Sequence, residues 1–151
     1  MLLPQKQYVL KQQLRNSFHS IKNYQLKKYD SAISYFEEAI QLNPNFSEAY
    51  NNLGNTKKLI GQRDEAIIYY KKAISLNAEV AQVHFYLGES YRQTDQFDKA
   101  VEAFKRCLEI TPDHIGCQLI LGITYEELKK FDQAISFYKL LVITYIQKII
   151  K

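Results

Sequence analysis

The sequence predicts an all-α chain assembled from antiparallel helix pairs, and three observations carry that prediction. The 151-residue chain repeats itself every 34 residues, with no insertion breaking the register. Within each period two stretches show apolar residues at helical spacing, and almost no glycine or proline interrupts either stretch. Pro44 and Pro112 stand two periods apart where the second helix of a pair must stop, because proline lacks the N–H and disfavours helix in the residue before it.

The elements follow from the repeated columns. Ala32, Ala66, Ala100 and Ala134 form one column, and Phe36, Tyr70, Phe104 and Tyr138 another. Ile33, Ile67, Val101 and Ile135 form a third. Leu53-Gly54, Leu87-Gly88 and Leu121-Gly122 mark the first helix of three of the pairs. In the second repeat Ala49, Tyr50, Leu53, Lys57 and Ile60 trace that first helix, and Ala66, Ile67, Tyr70, Ala73 and Ile74 trace the second. Asp30, Asp64, Asp98 and Asp132 fall in the first turn of each second helix, where an anion complements the helix dipole. A mid-helix glycine costs about 1 kcal/mol against alanine, so three at one period imply a packing reason. The expected one is a close crossing with the small alanine of the partner helix, the aromatic column then filling the wedge between one hairpin and the next. The repeats are placed at 13–46, 47–80, 81–114 and 115–148, within one domain, after a basic lead-in at 1–12. In the first repeat His19 and Ser20 replace the Leu-Gly pair.

The period, the Leu-Gly pairs, the tyrosines near them and the alanine, aromatic and proline columns together resemble the tetratricopeptide repeat. The resemblance covers residues 13–139 and is strongest in the second and third repeats. It implies a right-handed superhelical solenoid in which the first helix of each pair lines a concave face. It also implies a non-catalytic scaffold or adaptor that binds a peptide or helix of a partner protein in that groove. Two subtypes of the family do not extend to this chain. The positions of a chaperone carboxylate clamp hold Ser17, Ile21, Asn52, Gln82 and Tyr86, of which Asn52 alone matches. The column of an asparagine ladder reads Phe18, Asn52, Tyr86 and Ile120.

Composition narrows the function further. Hydrophobic residues are 46% and charged residues 24%, the balance of a folded globular chain rather than a disordered one. The net charge of +4 is unevenly placed: residues 1–29 carry +6, residues 30–136 carry −5 and the tail +3. A net acidic body argues against reading RNA, the alternative class for helical repeats, since that needs a basic groove. The two cysteines, Cys107 and Cys117, take columns of small core residues and imply no disulfide framework. His19, His84 and His114 are far apart without metal-ligand spacing, and no catalytic set is visible. The chain is therefore expected to be no enzyme and to use no cofactor, metal or small-molecule substrate. Met1-Leu2-Leu3 is followed at once by Pro4, Gln5 and Lys6, so no signal-type apolar segment forms, and no run spans a membrane. The expected location is the cytoplasm, with the nucleus as the alternative.

Counting from each repeat glycine along the first helices gives a stripe for the partner. In the second repeat it contains Glu48, Asn51, Asn52, Asn55 and Lys58, whose amides offer both donor and acceptor to an extended backbone. In the third it contains Gln82, Phe85, Tyr86, Glu89, Arg92 and Gln93, an aromatic pocket beside a guanidinium able to take a carboxylate. In the fourth it contains Leu119, Ile120, Ile123 and Glu126. Beyond Tyr138 the pattern gives way to Leu140-Leu141-Val142-Ile143-Thr144-Tyr145-Ile146, where a solenoid normally ends on a polar cap. The tail at 140–151 then belongs to a longer array, pairs with another copy or a partner's helix, or folds back as an unusual cap. In the second case the chain docks into a larger assembly or enzyme through its apolar C-terminal helix.

Overall fold

Seven helices, and no strand, make up the described part of a computed structural model, which covers residues 29–150 together with Val9 and Gln12. The basic lead-in and the first helix of the first repeat, with His19 and Ser20, lie outside the described residues. The fold is an all-α helical repeat array, and its residues fall into two units, Met1–Ala78 and Glu79–Lys151.

The first unit contains α1 (Tyr29–Leu42), α2 (Ser47–Leu59) and α3 (Arg63–Leu76). Helix α1 ends two residues before Pro44, and Asp30 and Asp64 lie in the first turns of α1 and α3. Helix α2 packs against both neighbours. Ala32 and Phe36 of α1 meet Leu53 of α2 in one buried cluster. Lys57 and Glu65 join α2 to α3 at 2.8 Å across their turn, and the hydrogen bond the Lys57 ammonium donates to that carboxylate raises the ammonium's pKa.

The second unit contains α4 (Ala81–Gln93), α5 (Phe97–Ile110), α6 (Ile115–Glu127) and α7 (Phe131–Ile150). Helices α4 and α5 form one hairpin and α6 and α7 the next, with α5 packed on α6. The core joins Ala100, Val101, Phe104 and Cys107 of α5 to Cys117, Leu121 and Tyr125 of α6 and Ala134 of α7. Cys107 and Cys117 are buried free thiols, and the Cys117 Sγ–H donates to the Phe104 carbonyl at 3.2 Å. The neighbouring Cys107 and burial push the Cys117 thiol upward, so it stays protonated and unreactive.

One expectation about this packing is corrected. The repeat glycines do not face the alanines of their partner helices. A Cβ added to Gly54 would fall 2.8 Å from the Tyr70 ring, one on Gly88 would fall 2.6 Å from Phe104, and one on Gly122 would fall 2.5 Å from Tyr138. Each glycine accommodates the aromatic ring of its own hairpin, sixteen residues on. The rings are therefore not confined to the wedge between hairpins. Phe104 lies on Gly88 and also belongs to the cluster with Cys117 and Leu121 of the following hairpin.

A further repeated column sets the turns. Gly61 (φ 85°), Asp95 (φ 58°) and Lys129 (φ 58°) are left-handed and spaced by the period. The next residue in each case, Gln62, Gln96 or Lys130, donates its N–H back to the carbonyl of Lys57, Tyr91 or Tyr125 at 2.9, 2.9 and 2.8 Å. This is the Schellman closure of a helix end, which favours glycine. Asp95→Gly and Lys129→Gly are therefore expected to stabilise the chain by about 0.5–1 kcal/mol each, read as a rise in the urea midpoint.

The tail continues the last helix and packs on the fourth repeat. Helix α7 continues unbroken for 20 residues, with Ala134 and Thr144 buried. It is held along α6 and the loop before it. Gln118 Nε2 donates to Pro112 O at 2.8 Å and to Thr144 Oγ1 at 3.1 Å, and Lys148 Nζ pairs with Asp113 Oδ2 at 3.0 Å. The hydrogen bond and charge of Lys148 hold the Asp113 carboxyl below the usual carboxylate range.

Candidate functional site

Every residue of the expected stripe lies on α2, α4 or α6, the first helices of their hairpins. Their inner faces repeat Leu-Gly and a buried small hydroxyl. Thr56, Ser90 and Thr124 are fully buried, and each donates to the carbonyl four residues back at 2.9, 2.9 and 2.7 Å. This column keeps the 34-residue period, and the sequence reading missed it because a hydroxyl in a helix reads as polar. It fits the packed side of a helix because the helix's own backbone satisfies the hydroxyl.

In the first unit, Glu48 is exposed and Asn51, Asn52, Asn55 and Lys58 are half-buried along α2. Asn55 is partly committed, since Tyr70 donates its hydroxyl to Asn55 Oδ1 at 2.7 Å. The Asn55 amide hydrogens are what it can offer a ligand. Asn51 Oδ1 is buried with no hydrogen-bond partner among the described residues.

In the second unit, α4 and α6 stand side by side, tied at one end by Arg92 and Glu127, whose Nη1 and Oε1 are 3.1 Å apart. The guanidinium expected to meet a ligand carboxylate thus already meets one on the neighbouring first helix, and Arg92 Nε is buried without a partner among the described residues. Gln82 and Gln93 are exposed, and Tyr86 and Glu89 are half-buried. Leu119 is exposed, with Ile120 and Ile123 half-buried on α6 and Glu126 exposed.

Phe85 has a different part. Its ring lies 5.9 Å from Phe104, 5.8 Å from Tyr86 and 5.0 Å from His114, centroid to centroid. His114 in turn caps α6, its Nδ1 accepting from the Cys117 N–H at 3.0 Å. Phe85 therefore links the α4–α5 hairpin to the start of α6. Phe85→Ala is therefore expected to lower the melting temperature, because the truncation removes support from both Phe104 and His114. Among the described residues no group of three or more His, Cys, Asp or Glu side chains could hold a metal, and no helix is long and apolar enough to cross a membrane.

The comparisons with known proteins agree with this architecture. The family model described as anaphase-promoting complex, cyclosome, subunit 3 matches residues 60–139, just over half of the chain, and one described as TPR repeat matches residues 23–61. A crystal structure of MamA is similar, with a TM-score of 0.84 at 26% identity over 87% of this chain and 77% of that one. MamA 41-end from Desulfovibrio magneticus RS-1 is similar with a TM-score of 0.79 over 85% of this chain and 72% of that one, and at 20% identity it shows the fold alone. Curated proteins give no match. Helix pairs on a 34-residue period, glycines seated under aromatic rings and two matching family models leave one assignment: the chain belongs to the tetratricopeptide-repeat family.

Proposed function

We propose that this chain is a non-catalytic adaptor that holds a peptide or a helix of a partner protein on its first-helix faces. Protein-interaction scaffolding is the general use of tetratricopeptide repeats, and the matching model is itself named for a subunit of a complex. The reading rests above all on the α4–α6 face of the second unit. There Tyr86, Leu119 and Ile123 supply apolar contact beside Gln82, Glu89, Gln93 and the Arg92–Glu127 pair. An apolar centre with a polar rim is the anatomy of a recognition surface. Arg92 Nε on this face and Asn51 Oδ1 on α2, both buried without a partner among the described residues, support the same reading, since buried polar atoms are normally satisfied and exceptions call for a role. On α2, Glu48, Asn52, Asn55 and Lys58 offer the polar contacts an extended backbone needs.

The test is capture from cell extract in the presence of RNase, comparing the native chain with Tyr86→Ala/Leu119→Glu. The expected result is loss of a discrete set of captured proteins, with the unfolding free energy from a urea titration changed by less than about 1 kcal/mol because both residues retain exposure. Equal capture by both chains places the partner elsewhere. Capture that RNase abolishes overturns the protein-binding reading.

A further inference from the structure

Helix α7 carries an apolar seam that nothing among the described residues covers. Phe131, Ile135, Tyr138, Val142, Tyr145 and Ile149 follow one another in alternating steps of four and three, the heptad spacing of a helix-pairing stripe. All but Tyr138 are at least 50% exposed. Tyr138 lies over Gly122 and, with Ile135 and Val142, lines an apolar groove along the helix. An exposed apolar stripe of this extent marks an interaction surface.

The repeat shows what such a face receives. One period earlier, Val101, Phe104 and Leu108 of α5 occupy the same columns, and they pack with Cys117 and Leu121 of α6. The face is built to take a helix, and its length selects which one. The first helices α2, α4 and α6 have 13 residues each, about 20 Å. The seam runs from 131 to 149, about 27 Å, so a first helix leaves Tyr145 and Ile149 bare. A second α7, with its 20 residues, covers all six positions.

The order of residues selects the direction. Laid antiparallel on itself about residue 140, Phe131 meets Ile149, Ile135 meets Tyr145 and Tyr138 meets Val142. Every aromatic side chain then faces a β-branched one, and all layers have similar volume. A parallel pairing sets aromatic against aromatic and β-branched against β-branched, alternately overfilled and underfilled. No charge lies within the seam, and Lys139 beside the axis keeps its ammonium in water while its stem borders the groove.

We infer that two copies of this chain associate through an antiparallel pairing of their α7 helices, closing a two-fold dimer. The partly exposed seam residues of two copies offer on the order of 1,000 Å² of buried surface, at the low end of specific interfaces. The dimer is therefore moderate in affinity and depends on concentration.

Light scattering of the full chain over a concentration series is expected to show its mass rising from one copy to two and stopping there. Val142→Asp is expected to raise the dissociation constant roughly tenfold or more, with helicity and melting of the monomer preserved because Val142 is exposed. Register is read by cysteine pairing. A mixture of Ile135→Cys and Tyr145→Cys chains cross-links under mild oxidation, while neither variant alone does so, and the native Cys107 and Cys117 are buried. A single-copy mass at every concentration, a mass climbing beyond two copies, or Ile135→Cys chains cross-linking to one another each overturns the pairing. None of these readouts depends on the α4–α6 face.

Discussion

Phe104→Ala is expected to lower the stability of the Glu79–Lys151 unit by about 3–5 kcal/mol, which for a domain of this size is much of the total. The ring is fully buried. It lies against Gly88 on α4, stands 5.9 Å from Phe85, and shares a cluster with Leu121 and Tyr125 of α6. Truncation opens a cavity at a junction of three helices, two of which are tied by further contacts that keep them from closing it. A urea titration followed by far-UV circular dichroism measures the effect. The same variant is expected to weaken partner capture at native temperature, because Phe85 loses the ring that supports it below Tyr86. A loss of under about 1 kcal/mol would show that the site collapses freely around the gap.

Gly88→Val is expected to cost about 2–3 kcal/mol, although a non-glycine residue is intrinsically the better helix former by several tenths of a kcal/mol. The first added carbon falls 2.6 Å from the Phe104 ring, and a ring with no exposure has nowhere to go. The sign of the effect thus decides between propensity and packing. The double variant Gly88→Val/Phe104→Ala provides the check. If the glycine exists for the ring, its penalty shrinks once the ring is gone, and the pair is less damaging than the sum by about 1 kcal/mol or more. Strict additivity would place the reason for the glycine elsewhere.

These two variants bear on a column that was visible in the sequence with its partner misassigned. Periodicity alone located Gly54, Gly88 and Gly122 and showed that each had a reason, since a repeated penalty is not accidental. It could not choose between the alanine and the aromatic column as the opposing surface. Both columns recur at 34 residues, and the choice depends on how far one helix is rotated about its axis against the other. The same limit applied to Phe85, which shares a stripe with Tyr86 by spacing yet turns inward to Phe104 and His114. It applied again to Thr56, Ser90 and Thr124, whose hydroxyls are satisfied by their own helix and so sit in the core. The left-handed turn column was likewise present in sequence, but Asp95 and Lys129 conceal it by standing where glycine is the ordinary choice.

By itself, the sequence determined the all-α class, the helix pairs and the 34-residue frame, because these depend on local rules: apolar spacing, acidic first turns and proline stops. It also placed the candidate stripe on the first helices and marked the tail as unusually apolar. The tertiary structure alone decided that the glycines seat aromatic rings and that Arg92 is already paired with Glu127. It also decided that the tail continues as one unbroken helix with a seam that no described residue covers. Local rules set what each segment becomes. Which side chain opposes which is fixed by the rotation and approach of whole helices, and that depends on the packing of residues far apart in the chain.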